Sequence, residues 1–98
     1  MKGESMPKYT NDIVAGYSLY FTSKCLIEAM HVHASDRAMS EEGSAKLFVY
    51  DNGDTKIERQ GPVNDIDMIK IRKYIKNNYE SMYLKWSKYS EKGFYTKR

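Results

Sequence analysis

The chain has 98 residues, 41% of them hydrophobic and 30% charged, which is enough for one domain with a modest core and too little for two. No apolar run approaches the roughly 20 residues that a membrane-spanning helix needs, and a single cysteine, Cys25, excludes an internal disulfide. These features predict a cytoplasmic protein without membrane contact, with a flexible N-terminal tail (1–12), one domain (13–91) and a basic C-terminal tail (92–98).

The net charge of +3 is unevenly distributed along the chain. Residues 1–63 carry seven Lys/Arg against nine Asp/Glu, whereas residues 64–98 carry nine Lys/Arg against four Asp/Glu. Such a basic half fits a surface that binds nucleic acid, but lysine is also the usual coat of a solvated helix. The lysines that would form a nucleic-acid surface are Lys70, Lys73, Lys76 and Lys88.

Two stretches in the first third of the chain alternate between polar and apolar residues, which is typical of strands. The first runs over 13–21. The second, over 30–34, places His31 and His33 on one face and the apolar residues on the other. The polar residues 35–43 that follow contain two glutamates and a glycine, which predicts a surface loop.

A hairpin is predicted in the middle of the chain. Residues 44–50 and 55–59 are both rich in strand-forming residues, and an Asn-Gly pair at 52–53 lies between them. Asn-Gly favours a type I′ turn, because both central residues of that turn need a positive φ. The implied register pairs Phe48 with Ile57 and Tyr50 with Thr55.

The last third of the chain predicts an amphipathic helix over 68–89. At about 100° per residue, its large residues fall within about 80° of one another on the helical wheel. Asn64 or Asp65 is the expected N-cap. The pair at 77–78, Asn-Asn, is the weakest point by helix propensity, so one long helix and two in-register helices both remain open. The residues of this apolar seam are Met68, Ile71, Ile75, Tyr79, Met82, Trp86 and Tyr89.

Together these elements predict an α+β fold. We expect a small antiparallel sheet of three to four strands, packed against one long or two in-register C-terminal amphipathic helices. The seam then supplies the structural anchors of the core. These are Trp86, Ile75, Met82 and Tyr79.

The two histidines are the residues best suited to chemistry. Two imidazoles on one strand face bind a transition metal when a third ligand such as Glu28 or Asp36 joins them. Without a fixed third ligand the pair is a weak metal signal, and we expect no metal or other cofactor. The alternative is a structural or surface role for His31 and His33.

A catalytic alternative uses the same pair. One histidine would act as base and the other as acid in RNA cleavage, while Lys46 or Arg59 stabilises the phosphorane. A binding alternative uses the histidine face together with Asp36 and Arg37 in the adjoining loop.

Four segments carry a family resemblance. They are Gly-Tyr-Ser-Leu-Tyr-Phe at 16–21, His-Val-His-Ala at 31–34, Gly-Ser-Ala-Lys-Leu-Phe at 43–48 and Leu-Lys-Trp at 84–86. The chain resembles a bacterial family of short proteins known as domain of unknown function 4160. The resemblance implies a compact α+β domain of bacterial, phage or mobile-element origin. Members of this family are often encoded beside another small protein, so the resemblance also implies membership of a toxin–antitoxin-like pair with the product of a neighbouring gene.

These observations predict a small protein-interaction module, one component of a toxin–antitoxin-like or phage–host conflict pair. Its expected partner is another protein or a second copy of the chain. Two alternatives stay open: a metal-independent ribonuclease that uses His31 and His33, and a nucleic-acid-binding module that uses the basic C-terminal helix.

Overall fold

The computed structural model describes residues 7–22, 27–36 and 43–96. Within them lie four strands and one helix, in the order β1 (Ser18–Tyr20), β2 (His31–Ser35), β3 (Ala45–Val49), β4 (Thr55–Arg59) and α1 (Asp65–Ser87). The strands form one antiparallel sheet in the order β1-β2-β3-β4, so the predicted α+β fold is confirmed. Cys25, Arg37 and most of the predicted loop at 35–43 lie outside the described residues.

The first strand is shorter than its alternating pattern predicts. Ala15 and Gly16 both have positive φ values, 55° and 88°, and form a tight turn. The backbone N–H of Val14 donates to the Tyr17 carbonyl at 2.9 Å, and the Tyr17 N–H donates back to Val14 at the same distance. Two consecutive positive φ values are the signature of a type I′ turn, so the chain reverses where a continuous strand was expected.

The turn folds the preceding residues back along β1. Tyr9 donates its backbone N–H to the Leu19 carbonyl at 2.9 Å, and Phe21 donates to the Pro7 carbonyl at 3.0 Å. Tyr9 is buried, and its hydroxyl donates to the His31 carbonyl at 2.7 Å. Part of the segment predicted as a flexible tail therefore covers the outer edge of β1.

The β3–β4 hairpin is present, but its predicted register is wrong by one residue. Phe48 pairs with Lys56, and Leu47 pairs with Ile57. The turn is a three-residue loop closed by a hydrogen bond from Tyr50 N–H to the Asp54 carbonyl, with Gly53 at φ 88° as its last residue. A one-residue slip moves each side chain of β4 to the other face of the sheet. Ile57 consequently lies on the same face as Leu47.

Helix α1 is continuous through 77–78 and covers one face of the sheet. Its N-cap is Asn64, whose side chain accepts from the Asp67 N–H at 2.8 Å. The buried residues of α1 pack with alternate strand residues in one hydrophobic core. The predicted seam differs at its end, because Tyr89 lies beyond the helix and is 49% exposed. The buried residues of α1 are Met68, Ile71, Ile75, Met82 and Trp86.

The segment after the helix closes one end of the sheet. Trp86 donates from Nε1 to the Lys92 carbonyl at 2.8 Å. Gly93 accepts from the Met30 N–H at 2.9 Å, and Tyr95 donates its N–H to the Val49 carbonyl at 2.8 Å. Much of the predicted basic tail is therefore part of the fold. Within the described residues, no helix has both the length and the apolar character needed to cross a membrane.

Candidate functional site

The two histidines lie on β2, on the sheet face that also carries Tyr20, Lys46 and Phe48. Alternation along β2 directs them away from the core residue Val32. Both rings are fully buried, and their centroids lie 5.2 Å apart in an edge-on arrangement. We call this group of five side chains the histidine face.

The ring of His31 is oriented by its own chain. Its Nδ1 lies 2.8 Å from the carbonyl oxygen of Ala29. Because a carbonyl only accepts, Nδ1 is the donor of this hydrogen bond. Nε2 of the same ring lies 3.8 Å from Oε1 of Glu28. The His31 ring also approaches the helix, with its centroid 5.7 Å from that of Trp86.

Glu28 and Lys46 form an ion pair at the rim of the histidine face. The ammonium of Lys46 donates to Oε1 of Glu28 at 2.8 Å. This hydrogen bond is the main cause that lowers the pKa of the Glu28 carboxyl, while partial burial opposes it and the charge of Lys46 adds to it. Lys46 also lies 5.1 Å from the ring centroid of Phe48. The pair thus presents both charges beside the buried rings.

His33 belongs to a second network. Its Nδ1 lies 3.0 Å from the hydroxyl of Ser44, and its ring stacks on Tyr20 with centroids 5.7 Å apart. The Ser44 carbonyl accepts from Nε of Arg59 at 2.8 Å. Serine and arginine therefore link His33 to the end of β4 rather than leaving its ring at an open surface.

The structure brings together the four residues considered for catalysis. His33 is the cross-strand partner of Lys46, Lys46 is the partner of Arg59, and His31 lies two residues away on the same strand. Acid–base catalysis requires a ring nitrogen within hydrogen-bond reach of the substrate. Both rings are fully buried, so this arrangement favours a structural role for the histidines.

Of the other residues proposed for this region, the structure describes Glu28 and Asp36. Asp36 is exposed, whereas Arg37 lies outside the described residues. In the part of the chain that the structure describes, no three His, Cys, Asp or Glu side chains are grouped as a metal site would require. Oε1 of Glu28 lies 3.8 Å from Nε2 of His31.

The basic surface of α1 is only partly available. Lys70, Lys73 and Lys88 are exposed. Lys76 is exposed as well, but its ammonium donates to the carboxylate of Asp54 and to the carbonyl of Asn52, each at 2.9 Å. One of the four lysines proposed for nucleic-acid binding therefore serves the β3–β4 turn.

A second surface, which the sequence did not reveal, lies at the outer edge of β4. β4 is the last strand of the sheet, and no other described segment pairs with it. Asp54 accepts a hydrogen bond from the Tyr50 N–H, so alternation turns the backbone groups of Thr55 and Ile57 away from β3. Val49 is the cross-strand partner of Thr55. Its backbone N–H donates to the Met30 carbonyl and its carbonyl accepts from the Tyr95 N–H, so neither group bonds to β4.

Helix α1 runs beside this edge. Asp65 accepts from the side chain of Gln60 at 2.9 Å, and Arg72 donates to the Thr55 hydroxyl at 2.8 Å. Two helix residues on this stretch are exposed although they are large and apolar: Ile66 is 69% exposed and Ile69 is 67% exposed. Ile69 also lines a cleft of about 330 Å³ together with the β3–β4 turn.

We call Ile57, Ile66 and Ile69 the β4 edge surface; Thr55, next to it on β4, is buried and bonded to Arg72. The sequence contains a signal for the two helix residues of this surface. When the helical wheel is extended back to the N-cap, Ile66 and Ile69 fall outside the buried seam. The place of Ile57 depends on which strand ends the sheet, and that is not a local property of the sequence.

Comparisons with models of known protein families, with curated proteins and with solved structures find no match to this chain.

Proposed function

We propose that this chain is a protein-binding module that accepts an extended strand of a partner protein along the outer edge of β4. The observation that carries the proposal is the β4 edge surface, where outward backbone groups of β4 adjoin two exposed isoleucines of α1. An added strand gains main-chain hydrogen bonds from a free sheet edge, and apolar contacts beside the edge supply further affinity.

The isoleucines distinguish this edge from an ordinary exposed strand. Fully burying one isoleucine side chain contributes about 1.5–3 kcal/mol. A single exposed apolar residue is common on protein surfaces. Ile66 and Ile69, however, are exposed within one helical turn of each other, and Ile69 lines the cleft that includes Thr55 of β4.

Two further considerations support a partner protein. The histidines, which were the strongest candidates for chemistry, are buried and engaged in the fold. The resemblance to domain of unknown function 4160 implies a two-protein, toxin–antitoxin-like setting of bacterial, phage or mobile-element origin, and the single cysteine fits the cytoplasm. We propose that such a pair is where this module acts.

The test uses size-exclusion chromatography with light scattering, on the chain alone and mixed with the protein encoded by the neighbouring gene. We expect the chain to form a homodimer or a complex at micromolar concentration, and Ile69→Glu to abolish it. Leu84→Glu is the matched control, because Leu84 lies on the same helix and is 65% exposed but is remote from β4. A chain that stays monomeric alone and with the neighbouring protein would remove the proposal, as would equal effects of the two variants.

A further inference from the structure

We propose that the strand accepted at β4 is β4 of a second copy, joined antiparallel about a two-fold axis at Ile57; this rests on the proposed function. The two sheets would then form one continuous sheet of eight strands. Three features lead to this partner: the outward backbone groups of β4, the charges of Lys56 and Glu58 on either side of Ile57, and the direction of α1.

The backbone sets the centre of the pairing. Ile57 directs both its N–H and its carbonyl away from β3, as does Thr55. The Thr55 carbonyl, however, already accepts from Nη2 of Arg72 at 3.2 Å. The residue that offers both groups to a new strand is therefore Ile57. Ile57 opposite Ile57 of a second copy exchanges two hydrogen bonds, as an antiparallel hydrogen-bonded pair does.

The charges on either side of Ile57 are complementary under this symmetry. A two-fold axis at Ile57 places Lys56 opposite Glu58 of the second copy, and Glu58 opposite its Lys56. In a regular ladder such positions form non-hydrogen-bonded pairs, whose side chains lie close together on one face. Glu58 is the extra residue of a bulge in β4, because Leu47 pairs with Ile57 and Lys46 with Arg59. Lys56 donates to the Tyr95 hydroxyl at 3.4 Å, a contact that its pairing with Glu58 of the second copy would have to share. Two opposite-charge contacts thus form in this register. A shift of the register by two residues along the strand would lose both.

The helices add an apolar contact. Hydrogen bonds from Gln60 to Asp65 and from Arg72 to Thr55 show that α1 runs antiparallel to β4. The helix residue level with Ile57 is therefore close to Ile69. The symmetry axis brings Ile69, which is 67% exposed, next to Ile69 of the second copy. It also brings the acidic start of each helix, at Asp65, towards the basic stretch that begins at Arg72 of the other.

This chemistry favours a second copy over an unrelated strand. An unrelated partner would need its own acidic and basic residues at the matching positions. The chain supplies both on one strand, in the order that a two-fold axis requires. Because the Thr55 carbonyl already accepts a hydrogen bond from Arg72, few main-chain hydrogen bonds can form between the two β4 strands. The dimer therefore depends on the charge pairs and on the isoleucines.

Sedimentation equilibrium at low salt tests the charge arrangement. Lys56→Glu and Glu58→Lys should each weaken the dimer about tenfold, because each places like charges opposite one another twice in the dimer. The double variant should restore the dissociation constant to within about threefold of the wild type. Lys88→Glu and Glu80→Lys make the same charge changes elsewhere on the surface and should leave the dimer unchanged.

Disulfide trapping supplies a second measurement that does not depend on the charges. In chains carrying Cys25→Ser, an oxidised mixture of Lys56→Cys and Glu58→Cys should give a cross-linked dimer, because non-hydrogen-bonded partners have Cα atoms about 4.5 Å apart. Neither variant alone should cross-link. In a dimer of one variant, the two introduced cysteines would lie two residues apart along the paired strands instead of opposite each other.

Two results would overturn the inference. One is a dimer that neither single charge variant weakens and that the cysteine mixture does not trap. The other is a chain that is monomeric alone yet binds the protein of the neighbouring gene through Ile69. In that second case the proposed function stands and the second copy is excluded as the partner.

Discussion

Arg72 of α1 donates to both the hydroxyl and the carbonyl of Thr55, at 2.8 Å and 3.2 Å. A single guanidinium thus holds the helix beside the last strand. It also donates to one of the carbonyls of β4 that point away from β3. The carbonyl and N–H of Ile57, two residues on, keep the outward direction without such a contact to α1. This contact explains why the β4 edge surface centres on Ile57.

Trp86 is expected to be the most costly side chain to remove. It is fully buried, its ring lies 5.1 Å from that of Phe21, and its Nε1 donates to the Lys92 carbonyl. Trp86→Ala should lower the free energy of unfolding by about 3–5 kcal/mol, measured by urea unfolding with far-UV circular dichroism. Leu84→Ala, an exposed position on the same helix, should change it by less than about 0.5 kcal/mol. Similar losses in the two variants would contradict the packing described.

The histidines are expected to matter for stability. His31→Ala or His33→Ala should lower the free energy of unfolding by about 2–4 kcal/mol, because each leaves a cavity and removes a buried hydrogen bond. Ser44→Ala should cost about 1 kcal/mol, since Nδ1 of His33 loses its hydroxyl partner. Thermal unfolding measures all three. A catalytic pair would show the opposite pattern, with stability unchanged and a cellular activity lost.

The ion pair of Glu28 and Lys46 predicts a pH dependence. The Lys46 ammonium lowers the pKa of Glu28 below its ordinary value of 4.5. A carboxyl with a lowered folded-state pKa stabilises the fold above its unfolded-state pKa, and this contribution is lost as the pH falls through the folded-state value. Glu28 is 45% exposed, so water screens the pair and its contribution is below about 1 kcal/mol.

Urea midpoints of the wild type and Glu28→Gln measure this effect. The wild type should be the more stable protein near neutral pH, and the difference should shrink as the pH falls from about 5 to about 3. Glu80→Gln, a change on the exposed face of α1, is the control and should show no such convergence. If the stability difference between the wild type and Glu28→Gln did not change with pH, the ion pair could not be the cause of that difference.

Gly53 should resist substitution more than Gly43. Both have positive φ, 88° and 74°, so an alanine is strained at either position. A Cβ at Gly53 would lie 2.6 Å from Cδ1 of Tyr79, whereas a Cβ at Gly43 would meet nothing within 4 Å. Gly43→Ala should therefore cost about 1 kcal/mol and Gly53→Ala about 2–3 kcal/mol in the free energy of unfolding. Equal losses would mean that the Tyr79 ring does not pack against the turn.

The sequence predicts the helix well because its signal is local. Met68, Ile71, Ile75, Met82 and Trp86 recur at helical spacing and are buried on one side, as the wheel requires. The hairpin register was predicted less well. Asn-Gly at 52–53 suits a two-residue type I′ loop, yet the chain closes a three-residue loop instead, with a positive φ at the glycine alone. Both turns fit the same residues, and the contacts that Lys76 of α1 makes with Asn52 and Asp54 are not visible in any local pattern.

The candidate site could be predicted only in part. Alternation correctly places His31 and His33 on one face of β2, but it cannot show that both rings are buried. Similarly, no local pattern shows that β4 ends the sheet or that α1 returns alongside it. Alternation also concealed the turn at Ala15, because a type I′ turn preserves the apparent period of a strand on either side.

Amide hydrogen exchange at Ile57, followed as the protein concentration rises, tests the β4 interface most directly. We predict that this amide exchanges quickly when the chain is dilute and slows as the β4 strands pair. The Lys56 amide, which alternation directs towards β3, should stay protected at every concentration. Exchange at Ile57 that stays fast at every concentration, and in the presence of the neighbouring gene's protein, would contradict the β4 interface.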